Sequence, residues 1–313
     1  MPNPNSELPN PFSSSLLPAP CSVPRRLVIF GAGYVGSAVA REAAKLGLLV
    51  TALTRNPAKV AALAAAGCEV VVDELASDAW HRKIPGRADF VLNCVSSGGG
   101  GIEGYLRSYV EGMQSILAWA RTSGGVGTVL YTSSTSVYPQ SGGTRVDETA
   151  STEGAGDTAR ILLKAEELLR STTPELVRRW FILRLAGIYG PERHHLLDQL
   201  RAGETEFSGR GEHRLNLIHR DDIVAAILSA FAAPPKLSNQ IFNVADDAAS
   251  PKSEVVNWLA TRLGCATPRF TGTAVVVRRA VTPDRVIAND KIKAALGWSP
   301  RYPDFRAGYD GLL

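Results

Sequence analysis

The sequence predicts an α/β fold, a doubly wound parallel sheet with a smaller C-terminal lobe. Three observations predict it. From Arg25 onward, short apolar runs alternate with helix-like stretches. Those runs are apolar on both faces, so the sheet they build is covered on both sides. A glycine-rich turn, Gly31-Ala32-Gly33-Tyr34-Val35-Gly36, joins the first apolar run to the first helical stretch. After residue 184 the rhythm loosens, which is where the smaller lobe begins.

In chain order, residues 1–24 come first and stand apart. They are rich in Pro, Ser and Asn, and Glu7 is their only charge. Such a segment buries little surface and is expected to be a disordered tail. Ser15-Leu16-Leu17 is too short for the apolar part of an export signal, and no Arg or Lys precedes Arg25. Expected strands follow at Arg26–Phe30, Leu48–Leu53, Glu69–Val72, Phe90–Val95, Thr128–Thr132 and Trp180–Leu183. Expected helices lie between them, near 34–46, 57–66, 102–122 and 158–170. Gly47 and Gly67 sit where helix ends need a left-handed residue, and Pro57 sits at a helix start.

Residues 25–184 therefore read as the nucleotide-binding domain and 185–313 as the smaller lobe, interleaved with it as one structural unit. In the lobe, short strands are expected at Arg214–Ile218 and Gln240–Val244, with helices at 221–232, 251–263 and 289–296. Ligands of open parallel sheets bind beyond the carboxyl ends of the strands, so a substrate is expected between the sheet edge and this lobe.

Bulk composition narrows the function. A hydrophobic fraction of 45% and a charged fraction of 20% over 313 residues suit a globular chain with a real core. The net charge of +4 is mild, and its basic residues are scattered rather than gathered into a nucleic-acid footprint. No apolar stretch approaches the ~18–20 residues of a membrane helix. The four cysteines, Cys21, Cys68, Cys94 and Cys265, form no CxxC pair. They suggest neither a disulfide framework nor a zinc site, and they fit a reducing, cytoplasmic setting. His194-His195 lacks a third ligand at metal-binding spacing.

The glycine turn carries the chemistry. Its first glycine makes the tight turn, the second lets backbone approach a diphosphate, and the third lets helix and strand pack closely. The amides and positive end of the following helix, beginning at Tyr34 and Val35, favour phosphate charge. A Rossmann-type dinucleotide site follows from this setting. An acidic residue at the end of the second strand would bind the ribose hydroxyl of NAD. That place reads Leu53-Thr54-Arg55-Asn56. Thr54 and Arg55 supply a hydroxyl and a cation that suit a 2′-phosphate, which favours NADP over NAD. Asp73, after the third strand, is either an acceptor for the adenine amino group or a plain loop carboxylate. Val95 and Ser96, ending the fourth strand, should lie along the cofactor.

The chain resembles the extended short-chain dehydrogenase/reductase superfamily, in particular its NAD-dependent epimerase/dehydratase group. The resemblance spans roughly residues 26 to 311. It rests on the glycine turn, on Tyr131-Thr132-Ser133-Ser134-Thr135-Ser136-Val137-Tyr138-Pro139, and on Leu183-Arg184-Leu185-Ala186-Gly187-Ile188-Tyr189-Gly190-Pro191. Leu217-Ile218-His219-Arg220-Asp221-Asp222 and Leu296-Gly297-Trp298-Ser299-Pro300 complete it.

The resemblance implies that Ser134 polarises a substrate carbonyl and that Tyr189 lies near the nicotinamide. It implies a Tyr-x-x-x-Lys pair on the next helix, whose lysine holds the nicotinamide ribose. In the matching stretch Lys164 is present, but Arg160 stands where the tyrosine belongs. Arginine does not deprotonate in proteins and cannot move the proton. Arg160 also fits a solvated helix face with Lys164 and Glu167. Substitute acids are Tyr138, His219 or water; Tyr138 and Tyr189 more often pack, and His219 equally suits substrate contact or a structural hydrogen bond. Arg210, with His213 and Arg214, suits an anionic small-molecule substrate or is simply surface charge. Dimerisation through helices 102–122 and 158–170 is implied as well, with Ile116, Leu117 and Leu168 serving either that interface or the core. Two functions stay open: an NADP-dependent oxidoreductase or epimerase/dehydratase on a small carbonyl or sugar-like compound, and a non-catalytic redox sensor that binds NADP.

Overall fold

The computed structural model describes residues 24–272 and 283–313; the expected tail falls outside them up to residue 23. The strands are β1 (Arg26–Phe30), β2 (Leu49–Thr54), β3 (Glu69–Val72), β4 (Phe90–Asn93), β5 (Val126–Ser134), β6 (Val177–Leu185), β7 (Gly187–Tyr189), β8 (Leu217–His219) and β9 (Gln240–Val244). Seven of them form one sheet in the order β9-β6-β5-β4-β1-β2-β3, with every pairing parallel. The chain winds outward from β1 to β3, returns to β4 on the other side, then winds the opposite way. The reversal leaves a crevice beyond the ends of β1 and β4, where sheets of this kind bind ligands.

Register brings those ends level. Phe30 stands opposite both Leu53 of β2 and Asn93 of β4. Alternate residues of each strand serve opposite faces. Leu27 and Ile29 pack with Val39 of α1 (Tyr34–Lys45) and Ile227 of the later helix Arg220–Ala232. Val28 and Phe30 pack with Trp80 and Trp119 on the other face, and the Phe30 and Trp80 rings lie 4.8 Å apart. Each such side chain contributes about 1.5–3 kcal/mol by leaving water.

The remaining helices follow in order: α2 (Val60–Ala65), α3 (Gly101–Tyr105), α4 (Gly112–Thr122), α5 (Asp157–Arg170), α6 (His195–Arg201), α7 (Arg220–Ala232), α8 (Lys252–Leu263), α9 (Asp290–Leu296) and α10 (Phe305–Asp310). The helix expected over 102–122 is interrupted by a wide π-helical turn, Leu106–Glu111, between α3 and α4. A separate apolar cluster of the lobe gathers Leu197, Phe207, Val255, Leu259, Phe305 and Tyr309.

Three expectations for the lobe are corrected. Gln240–Val244 is the edge strand β9 of the main sheet, in register with β6, and Phe242 and Val244 are fully buried there. Helix α7 likewise packs beside α1 rather than in the lobe. Its strand period and helical period look the same in either place; only the partner differs. The strand expected at Arg214–Ile218 breaks at Asn216. Arg214–Leu215 pairs with Ser250–Pro251, while β8 pairs with β7. Between them the Asn216 amide donates to Arg285 O at 2.9 Å and accepts from Ile287 N at 2.8 Å.

Candidate dinucleotide site

A cavity of about 730 Å³ runs across the carboxyl ends of β2, β1, β4, β5 and β6. Its floor is the glycine turn. Gly31 has φ +94°, and a Cβ there would lie 2.7 Å from Val95 N. At Gly36 a Cβ would lie 2.3 Å from Gly31 O and 2.7 Å from Cys94 Sγ. Gly33 differs, because a Cβ there would meet only Gly31 O, at 4.0 Å. Two glycines are thus required by the protein's own packing, and the third leaves space on the cavity side. The first intrahelical bond after the turn is Ser37 N to Gly33 O at 3.1 Å. The Tyr34, Val35 and Gly36 amides ahead of it have no helical partner, and no side chain caps this end.

At the β2 end the wall is Thr54, Arg55, Asn56, Pro57, Glu74, Leu75, Ala76 and Arg107. Thr54 Oγ1 accepts from Asn56 N at 3.2 Å, so this hydroxyl shapes the loop. Asp73 does not line the cavity. It accepts from Lys83 Nζ at 2.8 Å and from Glu74 N, and the lysine hydrogen bond holds its carboxyl below the usual range. The carboxylate that does reach the cavity is its neighbour Glu74.

At the other end stand Val95, Ser96, Tyr109, Thr132, Ser133, Ser134, the run Leu185–Ile188, and Arg193. Ser134 closes β5, and its hydroxyl accepts from Ser136 N at 3.1 Å. Burial pushes the Tyr109 phenol up to about 12. Cys94 Sγ sits 3.2 Å from Gly31 O beneath the turn, and burial pushes this thiol up to about 12 too. Arg193 lies over the Tyr34 ring at 5.5 Å, and the Tyr34 hydroxyl donates to Pro191 O at 2.7 Å. These two contacts tie the glycine turn to the segment after β7.

Several expected site residues lie elsewhere. Tyr138 is buried; its hydroxyl donates to Asn243 Oδ1 at 2.8 Å and accepts from Arg184 at 2.9 Å. Tyr189 stacks on Tyr309 at 4.9 Å and meets His219 edge-on at 5.3 Å, so it is a core ring of the lobe. His219 is 2% exposed, and its Nδ1 accepts from Asp221 N at 3.2 Å as the cap of α7. Burial lowers it to about 4, which leaves it neutral and unable to serve as an acid near pH 7. Arg210 is exposed and lines neither this cavity nor the depression beside α5. Its neighbour Arg214 is paired with Asp284 at 2.9 Å.

Helix α5 contributes no side chain to the cavity wall. Arg160 is exposed, donates to Ala155 O at 2.7 Å and pairs with Asp157. Lys164 is also exposed and lines a second depression, of about 590 Å³, with Leu117, Arg121 and Leu168 between α4 and α5. The inward face of α5 is marked instead by Glu166. That carboxylate accepts from Ser133 Oγ at 2.6 Å, from Arg184 Nε at 3.0 Å and from Arg184 Nη2 at 2.6 Å.

The sequence decides the family. Residues 27–245 match the model of the NAD dependent epimerase/dehydratase family. The chain belongs to that family. It is similar to Protein YeeZ of Escherichia coli (strain K12), 28% identical over 286 residues that cover 90% of this chain and 97% of that protein. It is also similar to a 3-diazoavenalumate denitrifying reductase of Streptomyces sp., 27% identical, covering 88% and 91% of the two chains. Among solved structures, MoeE5 in complex with UDP-glucose and NAD shares the fold with a TM-score of 0.78. It is 22% identical, and the match covers 91% of this chain and 96% of that one.

Helix α5 does not present to the cavity the tyrosine–lysine pair that the resemblance implies. Residues one and two helical turns before Glu166 share its inward line. A tyrosine–lysine pair on that face would stand at 158 and 162, where this chain has Thr158 and Leu162. Lys164 lies two residues out of that frame and so faces outward. The sequence reading missed Glu74, Arg107, Tyr109 and Arg193 in the cavity wall. Arg107 and Tyr109 sit inside a stretch with helical period, and the π turn that presents them left no mark in composition. Among the described residues no group of His, Cys, Asp and Glu could hold a metal ion, and no helix is long and apolar enough to cross a membrane.

Proposed function

We propose that the protein binds NADP in this cavity and reduces a small carbonyl compound. One observation carries the reading: a single cavity joins the glycine turn, Arg55 and Ser134. The turn amides and α1 would hold the diphosphate, and Arg55 the 2′-phosphate. When bound, the nicotinamide supplies a hydride. Ser134 would donate its hydroxyl hydrogen to the substrate oxygen and favour charge building there. Tyr109 shares the cavity, and its burial-raised phenol keeps its proton. It is too weak an acid to ionise and act as a base near neutrality, yet an alkoxide is a stronger base and would take its proton. The chain is therefore better equipped to protonate an alkoxide than to deprotonate an alcohol. That favours reduction over epimerisation, which needs a base for its first half.

A non-catalytic NADP sensor is the second reading, and the empty contribution of α5 to the cavity favours it. Pairing of two copies across α4 and α5 would enclose the depression around Lys164; size-exclusion chromatography with light scattering would read it as a dimer. A reducing cytoplasm suits the three described cysteines, all free thiols. Screening carbonyl compounds with NADPH, followed at the nicotinamide absorbance with product analysis, tests the enzyme. Turnover that falls by on the order of 10²-fold in Ser134→Ala and returns in Ser134→Thr supports it. Tight NADPH binding with no turnover of any class would leave the sensor, and no nucleotide binding would end both readings.

A further inference from the structure

At the β2 end of the cavity two guanidinium groups converge on one carboxylate. Arg107 Nη2 donates to Glu74 Oε2 at 3.0 Å, and Arg55 Nη1 lies 3.8 Å from Glu74 Oε1. All three side chains line the cavity. They come from three separate segments: Arg55 follows β2, Glu74 follows β3, and Arg107 belongs to the π turn after α3. Gly98 makes room for this arrangement. It has φ +64°, and a Cβ there would lie 2.1 Å from Arg55 Nη2. Two positive charges against one negative leave the cluster cationic. Arg107 sits beyond reach of the β2 loop in sequence, and no spacing rule points to it.

From this juxtaposition we infer that Arg107 is a second residue selecting for a 2′-phosphorylated adenosine, with Glu74 as an internal counter-ion that the phosphate displaces. The inference rests on the NADP reading of the cavity and adds Arg107 and Glu74 to it. Both ion pairs are half exposed, with side chains between 34% and 60% accessible. Pairs of this kind are worth little, so releasing Glu74 costs little. A phosphate near pH 7 brings about two negative charges and three acceptor oxygens, enough for both guanidinium forks. An unphosphorylated ribose offers a hydroxyl, which neither guanidinium needs and which leaves Glu74 in place. Glu74 therefore works against the phosphorylated ligand, and the two arginines work for it.

The test compares adenosine 2′,5′-bisphosphate with AMP, and NADPH with NADH, by calorimetry on the full chain. Arg107→Ala should weaken adenosine 2′,5′-bisphosphate and NADPH by roughly tenfold, the cost of a charge-assisted hydrogen bond, and leave AMP and NADH within about twofold. Glu74→Gln should strengthen the phosphorylated pair several-fold, and added salt should erode that preference. If Arg107→Ala weakens all four ligands equally, or none, the inference is overturned. The NADP reading survives that outcome if Arg55→Ala still narrows the NADPH preference. A wild-type protein that binds NADPH and NADH equally overturns both.

Discussion

Ser133 donates its hydroxyl to Glu166 across 2.6 Å, and this bond ties the cavity wall to an ion pair closed off from water. Glu166 is 1% exposed and Arg184, which holds it through two nitrogens, 4%. Arg184 reaches on to Tyr138, Tyr138 to Asn243, and Asn243 N to Glu148 at 2.7 Å. The chain of contacts crosses from β5 through β6 to the edge strand β9.

Glu166→Gln keeps the shape and strands the Arg184 charge. Removing one member of a buried pair costs about 3–5 kcal/mol. A urea unfolding midpoint should fall accordingly. Glu166→Leu combined with Arg184→Leu should recover part of the loss, because no buried charge is then left alone. An unchanged midpoint in Glu166→Gln would show that the pair does not hold the sheet.

The glycine turn separates folding from binding. Gly36→Ala drives a methyl into Gly31 O and Cys94 Sγ, so it should lower the melting temperature and abolish nucleotide binding together. Gly33→Ala meets no protein atom closer than 4.0 Å. Its melting temperature should stay within a few degrees of wild type, while nucleotide affinity falls sharply. Calorimetry beside thermal unfolding separates the two; equal losses of stability would contradict this division of roles.

His219 makes stability depend on acid. Its folded value of about 4 lies below the usual 6.5 because burial disfavours the cation. The stabilising contribution is complete above pH 6.5 and is lost as pH falls toward 4, to a total of about 3 kcal/mol. His219→Asn can still cap α7 but does not titrate. Its stability should fall less steeply between pH 6.5 and 4 than that of wild type, as read from denaturant midpoints across that range.

Asp246 acts with the opposite sign. It is 4% exposed, one carboxylate oxygen accepts only from Ala248 N at 3.2 Å, and the other has no hydrogen-bond partner. Burial raises it to about 8 from 3.8. Stability tied to its protonated form is full below pH 3.8 and drains away as pH rises to about 8. Asp246→Asn keeps the Ala248 contact without the charge. It should match wild type near pH 4 and exceed it progressively up to pH 8.

The strands and the glycine turn were legible because apolar periodicity and a local turn are written within a few neighbouring residues. Arg26–Phe30 and Glu69–Val72 form as their sequence predicts. What escaped depends on contacts between distant residues. The inward face of α5 is set by Glu166 meeting Ser133 and Arg184, and its leucines allow Lys164 to be read in either frame. The cluster of Arg55, Glu74 and Arg107 is likewise assembled by three loops meeting. His219 and Tyr189 follow apolar runs that end beside the cavity in sequence, yet the lobe closes over both rings.

The Cys94 thiol, wedged under the glycine turn, offers a native reporter. A protonated sulfur reacts slowly with alkylating reagents, and the half-buried Cys94 is approached from the cavity that the turn floors. Its labelling rate therefore follows how freely the cavity admits a small reagent. A dinucleotide seated across the loop should slow that rate in proportion to occupancy, which would read out cofactor residence without any label engineered into the chain.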